Sequence, residues 1–208
     1  MGQHGPKGLV GGVQLLLLSG GLESSALAAW LRPSLALTID YGQLPARGET
    51  WAASRVCSAL DLEHHVLRVD CSDIGSGLLA GSEIDKQAPM PEWWPYRNQL
   101  LITLAGTWGI GRGVTEILIG SVASDSRHAD GTADFYDLLG RLMVFQEGNL
   151  RVRAPGIEMS SVELITKSGI TDAVLGWTHS CHISDIACGS CPGCAKRRDV
   201  LTGMDRLL

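Results

Sequence analysis

The chain has 208 residues, enough for one α/β domain with a small appendage. Lys and Arg total 17 against 22 Asp and Glu, a net charge of −5, and Lys196-Arg197-Arg198 is the densest basic run, which argues against a broad nucleic-acid-binding surface. No apolar stretch reaches the roughly 18 residues of a spanning helix, and Met1 to Gly8 lack a secretory core, so a cytoplasmic protein without a membrane partner is expected, with a loose tail over residues 1–12.

Val13 to Leu18 is an apolar run that reads as a buried strand and stops at Ser19-Gly20-Gly21. Leu22 to Leu31 resumes at helical spacing and ends before Pro33. Strand, glycine turn and helix in this order can cradle an anion, because the first N–H groups of a helix lack intrahelical partners and sit at the positive end of its dipole. An ordinary βα turn is the competing reading of these residues alone. Leu35 to Ile39 is a second strand, ending at Asp40-Tyr41-Gly42-Gln43, so the opening is a βαβ unit with parallel strands.

Pro45 to Leu60 spaces Trp51, Ala52, Val56, Ala59 and Leu60 as a helix does, and His65 to Val69 is a third strand. Gly75, Gly77, Gly81, Pro89, Pro91 and Pro95 break residues 70–95 into a long loop, of a length compact domains keep for function or leave unordered. Trp93, Trp94 and Tyr96 argue for order at its far end. Asn98 reads as the N-cap of a helix through Trp108, and Glu116 to Gly120 as a fourth strand. That strand feeds the polar loop Ser121 to His128, where an open parallel sheet places ligand contacts. Ala133 to Glu147 is an amphipathic helix, Leu150 to Pro155 is extended, and Ser160 with Glu163 has the spacing of a capping box for a helix through Lys167. Strands alternating with helices predict a doubly wound parallel sheet.

Six cysteines occur, and Cys181, Cys188, Cys191 and Cys194 fall within fourteen residues. Four thiolates on short glycine- and proline-punctuated loops suit a tetrahedral structural zinc, a closed shell with no open position for catalysis; an iron–sulfur cluster has compatible spacing. His179 and His182 flank Cys181 as substitute ligands or plain surface residues. Cys57 and Cys71 read as packing residues. His128 gains interest only from its place in the loop after the fourth strand.

Ser19-Gly20-Gly21-Leu22-Glu23-Ser24 resembles the SGGxDS pyrophosphate loop of the N-type ATP pyrophosphatases, and Asp40-Tyr41-Gly42-Gln43 the DYGQ element of one branch, the 7-cyano-7-deazaguanine (preQ0) synthases. Trp94-Pro95-Tyr96-Arg97-Asn98 is similar to that branch's VPGRN segment, and Cys188 to Arg197 to its zinc tail, with Cys181 as the detached first ligand. The resemblance implies an adenine nucleotide alpha hydrolase-like fold: residues 13–176 as the pyrophosphatase domain and 177–208 as the zinc-binding segment. It implies ATP phosphates on Ser19, Gly20, Gly21, Ser24 and Ser25, adenine near Leu18, Thr38 and Ile39, further nucleotide contacts from Tyr41, Arg97 and Asn98, and Mg²⁺ beside the phosphates. Ser19, Glu23, Ser24 and Arg97 would serve the chemistry. Tyr41, Gln43, Arg97, Gly120, Asp125 and Asp134 would face a 7-deazaguanine carboxylate.

Glu23 stands where the family has Asp, and its extra methylene can shift a contact by about 1 Å. The segment Ser121 to Phe135 also departs from the family pattern and lacks its Cys. The resemblance therefore leaves two acceptors for the activated acyl group: ammonia, leading to the nitrile, or a protein amine, as suits an anti-phage defence member. A nucleotide-binding module that has lost catalysis is a third reading, motivated by Glu23. The family implies a homodimer, and tRNA thiolation is disfavoured by the acidic balance.

Overall fold

The computed structural model describes residues 12–206, so all but Gly12 of the expected N-terminal tail lies outside the described residues. Five parallel strands form one sheet: β1 (Val13–Leu17), β2 (Leu35–Asp40), β3 (His64–Arg68), β4 (Val114–Leu118) and β5 (Arg151–Arg153). Their spatial order is β3-β2-β1-β4-β5. β1 is central because its Leu15 and Leu16 have no exposed surface and find apolar neighbours on both sides of the sheet.

Side-chain alternation along β1 divides the core in two. Leu16 packs with α1 (Leu22–Leu31), α2 (Ala46–Leu60) and, further along, Leu164, Leu175 and Leu201. Leu15 faces the opposite layer, built from Leu79 on the short α3 (Gly77–Ala80), Ile102 and Ala105 of α4 (Arg97–Ile110), and Leu139 and Met143 of α5 (Ala133–Phe145). Helices α6 (Ser161–Ser168), α7 (Asp172–Leu175) and α8 (Pro192–Thr202) complete the first layer. The architecture is the expected doubly wound α/β sheet. No described helix is long and apolar enough to cross a membrane.

α1 has the expected bounds, with Arg32 in the left-handed region (φ 48°) before Pro33. The capping box of α6 is present in both directions, Ser160 Oγ accepting from Glu163 N–H while the Glu163 carboxylate accepts from Ser160 N–H at 2.8 Å. Other expectations shift. β4 starts at Val114, two residues early, because buried Val114 pairs with Val13 directly after the Gly113 turn (φ 74°). β3 begins one residue early, α4 runs two residues beyond Trp108, and α5 stops at Phe145.

Asn98 is not the N-cap of α4. Tyr96 takes that position with φ 54°, and Asn98 sits inside the first turn. Its backbone N–H donates to the Asp130 carboxylate at 3.1 Å, and its side-chain amide donates to the Asp130 carbonyl at 2.8 Å. A residue 32 positions away thus caps the helix, which local pattern cannot reveal.

Gly20 shows why the first turn is built of glycine. Its φ is 77°, and a Cβ there would lie 2.8 Å from both the Ala53 nitrogen and the Glu49 carbonyl oxygen of α2. Gly20→Ala is expected to cost about 2 kcal/mol or more from backbone strain and this collision. A urea midpoint equal to that of the wild type would show that α2 yields freely.

Candidate active site and thiol cluster

In an open parallel sheet the crevice lies at the carboxyl ends of the strands where the order reverses, here between β1 and β4. A cleft of about 310 Å³ occupies that position. On its β1 side, Leu18, Ser19, Glu23 and Ser24 form the wall. Ser19 Oγ accepts from Gly21 N–H at 3.3 Å and lies 3.2 Å from Ser24 Oγ, so both hydroxyls gather at the start of α1. Gly20 and Gly21 shape the turn from behind, and the Gly20 carbonyl accepts from His179 N–H at 2.8 Å. Ser25 is fully buried with a hydroxyl that has no hydrogen-bond partner. On the β4 side Gly120 comes so close that a Cβ would lie 2.9 Å from Ser24 N.

The β2 end contributes Ile39 and Tyr41. Thr38 does not reach the cleft: its hydroxyl donates to the Leu18 carbonyl at 2.6 Å and meets His64 Nε2 at 2.8 Å, tying β1 to β3 through β2. Gln43 is also a supporting residue. Its side-chain oxygen Oε1 accepts from Tyr41 N–H at 2.8 Å, and its side-chain Nε2 donates to the Ile39 carbonyl and, at 2.8 Å, to Glu49. Glu49 lines the cleft although no motif pointed to it. Burial pushes its carboxyl up to about 7, aided by Asp40 and opposed by Gln43 and Arg97.

A raised carboxyl favours the fold when protonated. This contribution is present in full below the ordinary value of 4.5 and is lost as pH climbs through about 7. Glu49→Gln is therefore expected to match the wild type near pH 4.5 and to exceed it in stability at pH 8, measured by urea unfolding across that range. Parallel pH profiles for the two proteins would refute it.

Arg97, at the first position of α4, lines the cleft with Asn98. Burial opposes its charge, but Tyr41, Asp130 and Glu49 around it hold the guanidinium protonated. Tyr41 is itself buried, stacked edge-on against Trp94 at 4.9 Å, with its hydroxyl pushed well above the ordinary range by burial. Tyr136 links α5 to the β4 loop through a 2.5 Å contact with Ser121 Oγ. Asp134 lies elsewhere: it is exposed in the first turn of α5 and outside the cleft wall.

The least legible part is the cation joining three elements. Lys196 of α8 places its ammonium 2.9 Å from Glu23 Oε1 and 3.2 Å from Asp125 Oδ1. Glu23 Oε1 also accepts from Ser161 Oγ at 2.6 Å. Burial would raise the Glu23 carboxyl, but Lys196 and Ser161 outweigh it and hold the group below its ordinary range. Residues 70–95, read as a long loop either functional or unordered, supply Glu92 to the wall, and His128 and His182 join it.

Beyond this wall the four cysteines converge. Their sulfurs all lie within 4.8 Å of one another, with Cys188–Cys194 and Cys181–Cys191 both at 3.9 Å. Four thiolates at Zn–S bonds of about 2.3 Å would stand about 3.8 Å apart, so the set fits one tetrahedral ion. Backbone N–H groups of Ser190 and Cys191 hold the Cys188 thiol down to about 6, ready to bind metal as a thiolate. His179 is not a ligand in this arrangement, since its Nε2 contacts the Ser184 carbonyl at 2.9 Å. Cys57 is a packing residue as expected, its thiol pushed up to about 12 by burial.

The family described as queuosine biosynthesis protein QueC matches residues 13–205. A 7-cyano-7-deazaguanine synthase of Chlorobium phaeobacteroides is 30% identical, covering 92% of this chain and 93% of its own. Proteins of the same name from Syntrophus aciditrophicus (32%, covering 88% and 90%) and Methanosarcina mazei (27%, covering 88% and 90%) are similarly related. Agreement over this length includes the glycine turn at one end and the thiol tail at the other, and on it the chain belongs to the QueC family.

Proposed function

We propose that the chain is an ATP-dependent ligase that adenylates 7-carboxy-7-deazaguanine and passes the acyl group to ammonia. The substrate carboxylate attacks the α-phosphorus as the bond to pyrophosphate breaks, and ammonia then displaces AMP from the acyl carbon. A second activation on the amide oxygen, followed by loss of AMP and two protons, gives the nitrile preQ0. The observation that carries this reading is that the Ser19–Ser24 turn and the half-buried cation Arg97 open on one cleft at the reversal point of the sheet.

Donors fixed in advance at the turn, with Arg97 opposite, suit charge that develops on phosphate oxygens. Glu23 is engaged by Lys196 and Ser161 and so is poorly placed as a metal ligand. Magnesium fits as the counter-ion carried by the ATP phosphates, completed by water, and not as an ion in a protein cage. Zinc on the four cysteines would be structural, holding 177–208 against the pyrophosphatase domain at 13–176. Free thiols in this number suit a cytoplasmic setting.

The test is pyrophosphate release with ATP, the carboxylate and ammonia, with products read by mass. Formation of the nitrile supports the proposal. ATP binding without pyrophosphate release for any deazaguanine carboxylate would sink it in favour of a binding module. The 121–135 loop, with Asp125 and His128 in the cleft wall, motivates the protein-amine acceptor. Faster capture by a peptide amine than by ammonia would select that acceptor.

A further inference from the structure

Five buried side-chain polar atoms among the described residues have no hydrogen-bond partner, and two belong to residues of one cleft wall: Glu92 Oε2 and His182 Nδ1. Leaving such a group unpaired is costly, so their concentration in this wall marks a place where a bound molecule supplies the partners. Glu92 comes from the loop ahead of α4, and its side chain is only 10% exposed. Its Oε1 faces His128 Nε2 at 3.7 Å, an ion-pair distance too long for a direct hydrogen bond.

The neighbouring His128 holds the Glu92 carboxyl below its ordinary range against burial, so at neutral pH it is an anion. A carboxylate anion only accepts hydrogen bonds. Its best partner is a rigid pair of N–H donors lying side by side, which engages both oxygens. Leu79, Leu101 and Ile102 line the same cleft and give an apolar seat for a flat ring.

We propose that Glu92 reads the amino-pyrimidinone edge of the substrate base, accepting from ring N1–H and the exocyclic 2-amino group, and so selects a guanine-type base over one without that amino group. The proposal rests on the reading of this cleft as a deazaguanine carboxylate site. An amine nucleophile is the other N–H donor that could meet Glu92, and the test separates the two.

Calorimetry on the zinc-loaded full chain compares 7-carboxy-7-deazaguanine with its counterpart lacking the 2-amino group. The wild type is expected to prefer the amino compound by about 10- to 100-fold, as befits hydrogen bonds to a charged group. In Glu92→Gln that preference falls to within about threefold, with ATP affinity unchanged. Equal wild-type affinity for the two bases overturns the proposal without any variant. A Glu92→Gln protein that keeps the preference but needs more ammonia for turnover overturns it in favour of an amine site. Selective binding by the wild type without pyrophosphate release would sink the ligase reading and leave the subsite standing.

Discussion

Lys196→Met is expected to lower pyrophosphate release about 100-fold and to cost about 2–4 kcal/mol of stability. The ammonium stands between Glu23 and Asp125, and the Glu23 side chain is only 16% exposed, so its removal leaves a buried carboxylate uncompensated beside a second one. On the proposed ATP reading the lost activity follows because Glu23 lies in the first turn of α1, one residue before Ser24, and unpaired charge there would repel phosphate.

The pH profile should reverse with it. In the wild type the Glu23 carboxyl is depressed, so its contribution is present above the ordinary value of 4.5 and is lost as pH falls through the depressed one. Without Lys196, burial dominates and raises the group, and stability should then decline as pH rises above 4.5. Urea unfolding from about pH 2 to 8 reads both limbs. Glu23→Gln combined with Lys196→Met should recover much of the loss, since only the more exposed Asp125 then stands without its cation. A single variant as stable as the wild type with an unchanged pH profile would refute the coupling.

Removing the metal should have the largest effect on the C-terminal segment. Structural zinc in small thiolate sites binds with about 10 kcal/mol or more, and that energy is folding energy. Cys191 is the pivot of the set: its sulfur accepts from His182 N–H at 3.3 Å and from Cys194 N–H at 3.5 Å, and it caps α8. Chelation, or Cys191→Ser, is expected to release α8, withdraw Lys196 from Glu23 and free the Gly20 carbonyl from His179. ATP affinity should fall together with zinc content, followed by calorimetry and metal analysis on the same samples. Zinc-free protein that binds ATP with full affinity would separate the segment from the turn.

Elements whose signals are contiguous could be read directly from the chain. The opening strand, glycine turn and α1 follow from apolar periodicity and one Pro, and the thiol set from four cysteines in fourteen residues. What escaped was made by distant pairing. Glu23 read as a departure from Asp, yet its carboxylate reaches Ser161, 138 positions away, and Lys196 on α8. A shorter Asp would draw back from both, so Glu23→Asp is expected to weaken this junction. Asp130 capping α4 and Glu49 turning inward belong to the same class. Lys196 sits in the densest basic run of the chain, and only the fold reveals its two carboxylate partners.

The position of α8 also bears on how the protein comes into being. All five strands are complete by Arg153, so the sheet can assemble while the last part of the chain is still being translated. Cys181, Cys188, Cys191 and Cys194, with His182, Gly193 and Lys196 that close one side of the cleft, emerge from the ribosome afterwards. A growing chain therefore passes through a stage with its sheet built but one side of its cleft unwalled. On the proposed structural role of zinc, metal capture by the four cysteines would close that wall, and a cell short of zinc would accumulate molecules with the sheet folded and the cleft open.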